Sequence, residues 1–413
     1  MPKRIVGAFA VAVTIVACGG EEAAAPPPAT PPPAPVASAP APAPTPTAPA
    51  EPPPAPKPSL AEMQKTAITN SVAAFNAHDA KKAAADYSDD AVMATPGMKG
   101  MEETKGKAEI EKFFAGLFTG FPDMKIGYSR VFQRGDVLVA EWASAGTNTG
   151  EFMGQPATGK KIGFNAASIF WFDANGKVKR EHVYYDAMTM MGQMGQGDPK
   201  MKVRPPAEVP GGEPTWLTAA EDPKTVAAAK GMYEAWEKKD QKAFMDVITD
   251  DTVAVMYGEP ADQKGKAPAK KAFTEFTKAF PDMKMTTSNQ WGFGDIVITE
   301  AAGTGTMKGP VMGMKPTNKS GTTHMLDIVE MKDGKVAKII SYSNNLEFAA
   351  QYGLLPPPPK AKGEPVKGGK AEPPKGAKGA EPAKPATPGK TEPGKPATPP
   401  KAEPAKPATP PKK

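Results

Sequence analysis

Along one stretch of the chain, alternate positions carry side chains that can exchange protons. At the two-residue period of a β-strand, Arg180, His182, Tyr184 and Asp186 point to one face. A carboxylate and an imidazole four residues apart on that face could act together, with Asp186 as the acid/base group and His182 as its helper. The two could equally form a buried structural hydrogen bond, and both interpretations stay open.

Four further side chains are candidates for binding a ligand: Tyr184, Glu141, Trp142 and Asn165. Glu141 has an equivalent in Glu300 later in the chain, and either could line a pocket or face solvent. The sequence shows no Gly-rich phosphate loop and no cluster with metal-ligand spacing. We therefore expect no metal and no cofactor.

Charge excludes one class of partner. The segment 356–413 holds 13 Lys and 5 Glu, a net charge of +8, whereas the whole chain of 413 residues carries +6. Residues 1–355 therefore sum to −2, and no basic patch with interleaved aromatics appears. We expect no nucleic-acid binding, but the basic tail could attract anionic polymers of the cell envelope.

The single cysteine lies at the end of an apolar segment that follows a basic start. The stretch Ile15-Val16-Ala17-Cys18-Gly19 resembles a bacterial lipoprotein signal, which implies a lipid on Cys18. The resemblance predicts a lipid-anchored protein of the cell envelope. Gly19 after the cysteine is typical of sorting to an outer membrane, facing the periplasm or the cell surface. A lipidated Cys18 leaves no cysteine for disulfides or thiolate chemistry.

The chain contains an internal repeat. Phe280-Pro281-Asp282-Met283 repeats Phe121-Pro122-Asp123-Met124 at an offset of 159, and Glu300 falls on Glu141. A period of about 160 residues exceeds those of solenoid repeats and indicates two copies of one domain. In each copy, helical periodicity precedes a run of β-type segments separated by polar turns.

Composition divides the chain into six segments. They are a signal peptide with its lipobox (1–18), a disordered Pro/Ala-rich tether (19–58), domain 1 (59–197), a linker (198–214), domain 2 (215–355) and a disordered Pro/Lys-rich tail (356–413).

Several motifs carry a resemblance to a known family. They are Asn76-Ala77-His78-Asp79, Asp89-Asp90, Phe121-Pro122-Asp123-Met124, Thr158-Gly159-Lys160 and Tyr185-Asp186 with the Met-rich ending to Gly195. This set resembles the SnoaL-like polyketide cyclases and ester cyclases of the nuclear transport factor 2-like superfamily. The resemblance implies an α+β fold of two tandem cone-shaped domains, each of about three helices and a curved antiparallel sheet. In that family the cone encloses an apolar pocket, and Asp186 matches the acid/base position.

The second copy lacks this chemistry, since Asn344 stands where Asp186 does and Ile340 where His182 does. We expect its site to be degenerate and the domain to be a binding or structural one. The preferred interpretation is a lipid-anchored protein that binds small hydrophobic ligands; the alternative is an isomerase or cyclase acting through Asp186. Whether the chain is an enzyme stays open. Cone domains often pair through their sheets, so an intrachain pseudo-dimer or a homodimer is expected.

Overall fold

The computed structural model describes residues 57–196 and 202–355. The predicted signal peptide, the lipidation site Cys18, nearly all of the tether and the basic tail lie outside the described residues. The described residues between Leu60 and Leu355 belong to one compact unit. Within its described part, no helix is both long and apolar enough to cross a membrane.

The first domain begins with helices and continues into a sheet. Its elements are α1 (Leu60–Asn76), α2 (Ala80–Ala83), β1 (Tyr87–Gly97), β2 (Gly100–Lys105), α3 (Lys107–Gly120), β3 (Lys125–Arg134), β4 (Val137–Thr147), β5 (Lys161–Phe172), β6 (Val178–Tyr185) and α4 (Ala187–Gln193). A short strand, β7 (Thr215–Leu217), then pairs in parallel with β3. The first residues after the linker therefore extend the sheet of the first domain.

The second domain repeats this order. Its elements are α5 (Pro223–Lys238), α6 (Gln241–Asp246), β8 (Ile248–Met256), β9 (Gln263–Lys264), α7 (Lys266–Ala279), β10 (Lys284–Phe293), β11 (Ile296–Thr306), β12 (Ser320–Lys332), β13 (Lys335–Ser343) and α8 (Asn345–Gln351). The predicted α+β fold of two tandem domains is confirmed.

Helix starts follow local capping chemistry. Asp79 accepts a hydrogen bond from the backbone N–H of Lys82, and Asp240 caps α6 in the same way. Asp186 and Asn344 cap the short helices that follow the last strand of each domain. Such side chains satisfy backbone N–H groups that the first helical turn leaves free.

Both sheets have the same strand order. The first sheet runs β2-β1-β6-β5-β4-β3-β7. The second, read from its β9 edge, runs β9-β8-β13-β12-β11-β10. The four long strands of each domain pair antiparallel, as expected, but β1 runs parallel to β6 and β8 runs parallel to β13. The sheets are therefore mixed, because the first strand of each domain returns to the edge formed by its last long strand.

The two sheets pack against each other. One hydrophobic cluster contains buried residues of both domains, including Phe132, Ile169, Phe293 and Leu326. The rings of Phe132 and Phe293 lie 5.3 Å apart between centroids. Each sheet is thus covered on both faces, by its own helices on one side and by the other domain on the other side.

Candidate functional site

Asp186 lies at the end of β6 and caps α4. Its carboxylate accepts hydrogen bonds from the backbone N–H and the hydroxyl of Thr189, at 2.9 and 2.5 Å. It also accepts one from the backbone N–H of Asn345 in the second domain, at 2.8 Å. The side chain is 3% exposed. Asp186 therefore holds a helix start and joins the two domains.

Burial raises the pKa of the Asp186 carboxyl, while hydrogen bonds from Thr189, Asn345 and Met188 oppose the rise. Both carboxylate oxygens already have donors within the protein. The space beside it, which also borders Asn165, Arg204 and Tyr257, is about 10 Å³. That volume corresponds to about one water molecule, far less than a small-molecule ligand needs.

His182 does not meet Asp186. Its Nδ1 lies 2.6 Å from Oε1 of Glu300 in the second domain, and its ring packs against Trp171 with centroids 4.8 Å apart. The strand geometry explains why His182 does not reach Asp186, because residues four apart on one strand are separated by two full pleats along the strand axis. His182 therefore contacts the second domain and not Asp186.

Glu141 and Tyr184 also lie at that interface, in a reciprocal arrangement. Tyr342 of the second domain donates to Oε1 of Glu141 at 2.7 Å, and Tyr184 of the first domain donates to Oε1 of Glu300 at 2.6 Å. Arg130 forms an ion pair with Glu141 on its other oxygen. Since Tyr342 and Glu300 are the repeat equivalents of Tyr184 and Glu141, the contact is self-complementary, like the interface of a symmetric dimer.

The other two predicted binding residues separate. Trp142 points into the first cone, where its indole N–H donates to Oγ of Ser168 at 3.0 Å and its ring lies 5.9 Å from Phe164. Asn165 lies on β5, directly before Ala166, which is the strand partner of Trp142. It borders the small space beside Asp186. Trp142 is a packing residue of the first interior.

A much larger cavity occupies the interior of the second domain. Its volume is about 320 Å³. Aromatic side chains form much of its wall, namely Tyr233, Trp236, Phe244, Phe276, Phe280 and Phe348. Cavities of this size, with mostly apolar walls, are typical binding sites for small molecules.

One row of residues across each sheet differs in side-chain size between the two cones. The rows have identical strand register: Tyr128, Trp142, Ala166 and Tyr185 in the first domain, and Thr287, Ala301, Met325 and Ser343 in the second. Next to them, Phe164 of the first domain corresponds to Thr323 of the second. Three large rings in the row of the first domain, and one beside it, thus correspond to small side chains in the second domain. The opposite change occurs once in the row, where Met325 corresponds to Ala166.

A carboxyl group lines the hollow cone. Asp327, in the middle of β12, is 3% exposed, and its Oδ2 accepts a hydrogen bond from the hydroxyl of Tyr233 at 2.8 Å. Burial raises the pKa of this carboxyl, against hydrogen bonds from Ser341 and Tyr233. Asp327 was not among the residues predicted from the sequence, although a single acidic residue in the apolar run Leu326-Asp327-Ile328-Val329 is a detectable signal.

Metal binding finds no support at these sites. Across residues 57–196 and 202–355, no group of three or more His, Cys, Asp or Glu side chains is placed to hold a metal ion.

Both domains match a known protein family. A family model described as SnoaL-like polyketide cyclase matches residues 65–194 and again residues 226–352. No curated protein sequence matches the chain.

Solved structures match over about a third of the chain. AclR from Streptomyces galilaeus is 25% identical, with 33% of this chain and 85% of that chain covered and a TM-score of 0.30. IdmH from Streptomyces antibioticus is 24% identical, with 31% and 98% covered and a TM-score of 0.28. An NTF2-like protein from Burkholderia xenovorans LB400 is 18% identical, with 31% and 95% covered and a TM-score of 0.26.

Proposed function

The chain belongs to the SnoaL-like polyketide cyclase family through both of its domains, and from this premise we propose that it binds a small hydrophobic molecule inside its second domain. The cavity of about 320 Å³ in that domain carries the proposal. Its aromatic wall would exchange contact with water for contact with an apolar ligand, which is the main source of affinity for such molecules.

The first domain supports the proposal by contrast. Its interior is filled by Trp142, Phe164 and Tyr185, whose rings pack in sequence at 5.9 and 5.0 Å between centroids. A well-packed core has no room for a guest molecule of this kind. In our proposal the first domain is therefore the scaffold, and the second is the receptor.

A direct test fills the cavity of the second domain with the rings that occupy the equivalent positions of the first domain. The double variant Ala301→Trp, Ser343→Tyr restores two of the rings that fill the first cone. Native mass spectrometry of the full chain is expected to show a small apolar molecule bound to the wild type and absent from this variant. Ala227→Trp, at an exposed position of α5, adds the same bulk outside the cavity and is the control.

The result that would contradict the proposal is equally concrete. If the filled variant retains the bound mass, or if wild-type protein binds no apolar molecule from a panel of fatty acids, aromatics and terpenes, the second domain is not a receptor.

A second candidate function is acid/base isomerisation or cyclisation through Asp186. One observation favours it: the carboxyl is buried and its pKa is raised, as proton abstraction beside a carbonyl requires. Under this proposal, Asp186→Asn abolishes turnover of a carbonyl substrate but leaves ligand binding intact. Absence of turnover by the wild type across a panel of such substrates would remove it.

We further propose that the protein is anchored to the cell envelope by a lipid on Cys18, with the segment 19–58 as a spacer and the tail 356–413 in contact with anionic envelope polymers. The sequence motif at Ile15–Gly19 and the +8 charge of the tail support this placement. Labelled palmitate should be incorporated by the wild type and not by Cys18→Ser. Wild-type protein that stays unlabelled, or that fractionates away from outer membranes, would contradict the anchor and the location.

A further inference from the structure

The loop between β11 and β12 combines positive charge with an exposed apolar tip. We call it the β11–β12 loop, residues 307–319, and its repeat equivalent in the first domain is the β4–β5 loop, residues 148–160. The β11–β12 loop has no acidic residue and a net charge of +3, from Lys308, Lys315 and Lys319. In the β4–β5 loop the charges of Glu151 and Lys160 cancel. The two equivalent loops therefore differ in charge.

The tip of the β11–β12 loop is a two-residue turn. Val311 pairs with Met314 in an antiparallel bridge, and the β4–β5 loop has the same bridge at its tip. The central residues Met312 and Gly313 have φ angles of 51° and 76°. Such turns favour Asn or Asp before the glycine, because these short polar side chains tolerate positive φ best. A methionine at this position costs stability.

The methionine at each tip is also exposed. Met312 is 46% exposed, and its equivalent Met153, with a φ of 50°, is 81% exposed. An apolar side chain that is both strained in its backbone and turned to solvent does not stabilise the fold. Strain of this kind is often retained for function.

The arms of the β11–β12 loop are fixed to the body of the second domain. The backbone N–H groups of Lys308 and Gly309 donate to the carbonyl oxygen of Ala279, at 2.8 and 3.1 Å. Val311 is buried in one cluster with Phe280. The tip therefore has a rigid support, and a contact made through it would cost little ordering entropy.

The surroundings of the tip are cationic on the outside and apolar on the inside. The three lysines of the loop are exposed, and none forms an ion pair with a described residue. Met312 borders the cavity of the second domain as well as solvent. The cavity thus extends to the part of the surface that carries these charges.

Exposed lysines around an apolar tip complement a lipid surface with anionic head groups. The negative potential of such a surface attracts lysines, and an apolar side chain gains from burial among the lipids. We propose that the β11–β12 loop docks the second domain on an anionic lipid bilayer, with Met312 inserted between the lipids. The contact brings the cavity to the bilayer, so an apolar ligand can enter without crossing water. This last step alone rests on the proposed binding function.

The test places an environment-sensitive label at each tip. Met312→Cys and Met153→Cys are made in the full chain together with Cys18→Ser, which removes the other thiol and the proposed anchor, and are labelled with nitrobenzoxadiazole. Mixed vesicles of phosphatidylcholine and phosphatidylglycerol are expected to shift the emission at position 312 to the blue and to leave position 153 unchanged. Phosphatidylcholine alone should change neither. The basic tail attracts both labelled proteins equally, so Met153→Cys is the matched control.

Two further sets of variants separate charge from insertion. With Lys308→Gln, Lys315→Gln and Lys319→Gln combined, half of the emission shift should require at least about tenfold more anionic lipid. Met312→Asn supplies a residue that the turn prefers, so it should raise the unfolding temperature while weakening vesicle co-sedimentation about fivefold. Met153→Asn should raise the unfolding temperature and leave co-sedimentation unchanged.

Several results would overturn the inference. They are no shift at position 312 with anionic vesicles, equal shifts at both tips, equal shifts with and without anionic lipid, and no effect of the lysine substitutions. The first would leave a protein partner as the occupant of the loop. A lower unfolding temperature for Met312→Asn would make Met312 a structural residue. None of these measurements needs a ligand in the cavity, so docking can fail while the proposed binding function stands, and the reverse.

Discussion

The two domains share strand order and register but differ in what their cones contain. Trp142 of the first domain and Ala301 of the second occupy equivalent points, each paired across to a residue of the preceding strand, Tyr128 or Thr287. The first cone carries large rings at these points, and the second holds a cavity of about 320 Å³. One backbone design therefore accepts interiors of different volume, because the side chains of a cone and not its topology set the space inside it.

Each cone also buries one carboxyl beside a tyrosine. In the first domain Tyr87 donates to Glu181 on β6, and in the second Tyr233 donates to Asp327 on β12. Burial raises the pKa of the Glu181 carboxyl, opposed by hydrogen bonds from Tyr87 and Ser168. The pair in the packed cone has nothing to bind, whereas Asp327 borders open space. A perturbed acid is a stronger indication of a site when a cavity lies next to it.

The largest effect is expected from emptying the first cone. Trp142→Ala removes a large, partly buried ring that packs on Phe164 and donates to Ser168, and should lower the free energy of unfolding by about 3 kcal/mol. The matched small change in the second domain, Ser343→Ala, should cost less than about 0.5 kcal/mol. Urea unfolding followed by circular dichroism measures both. A cost below about 1 kcal/mol for Trp142→Ala would show that the first interior is not tightly packed.

The reciprocal tyrosines at the domain interface give the next effect. Tyr342→Phe and Tyr184→Phe each remove a hydrogen bond to a buried carboxylate, worth about 2 kcal/mol. Glu300 retains His182 and Asn289, whereas Glu141 retains Arg130, so we expect Tyr342→Phe to be the more destabilising variant. Urea unfolding of the full chain ranks them. The opposite order would mean that the ion pair of Arg130 compensates Glu141 better than His182 and Asn289 compensate Glu300.

A smaller effect tests whether Asp186 is scaffold. Asp186→Ala and Asn344→Ala each remove a helix cap and a contact with the other domain, and each should cost about 1 kcal/mol. Differential scanning calorimetry compares their unfolding temperatures. An increase in stability for Asp186→Ala alone would favour the catalytic interpretation, since functional residues are often retained at the expense of stability.

The smallest effects concern pH and have opposite signs in one domain. Burial raises the pKa of Glu300, but hydrogen bonds from His182, Tyr184 and Asn289 outweigh it, so the net shift is downward. Its stabilising contribution is present above the ordinary glutamate range and is lost as pH falls through the lowered pKa. For Asp327 the net shift is upward, so ionisation costs stability above the ordinary aspartate range.

We therefore expect Glu300→Gln to destabilise the chain at pH 7 and to approach wild type near pH 3. Asp327→Asn should stabilise it at pH 7 and lose that advantage near pH 3. Thermal unfolding from pH 3 to 8 measures both profiles. Parallel profiles for the two variants would contradict the assigned shifts.

Local features of the fold were predictable from local residues. Asp79 caps α2 through its own side chain, and Asp at a helix start is a local signal of this kind. The equivalence of Glu141 and Glu300 was visible in the repeat and appears in the strand register. These features depend on residues close in sequence or on the repetition of a whole domain. Both can be recognised in the sequence without knowledge of the tertiary structure.

The direction of the strand faces was not predictable. The alternation of β6 separates His182 and Tyr184 from Glu181 and Val183, as the sequence indicated. The structure directs the first pair to the other domain and Glu181 into the cone. A two-residue period defines two faces, but when both are buried it does not show which of them is the interior.

By itself, the sequence determined two tandem α+β domains and the slightly negative net charge of residues 1–355. Tertiary structure decided where a ligand could bind. Ala301, Thr323 and Ser343 lie on three strands and appear unremarkable singly in the sequence; they leave a cavity only because the sheet brings them together. Packing depends on the summed volume of residues that are neighbours in space, and Asp327 became a candidate site only beside that space.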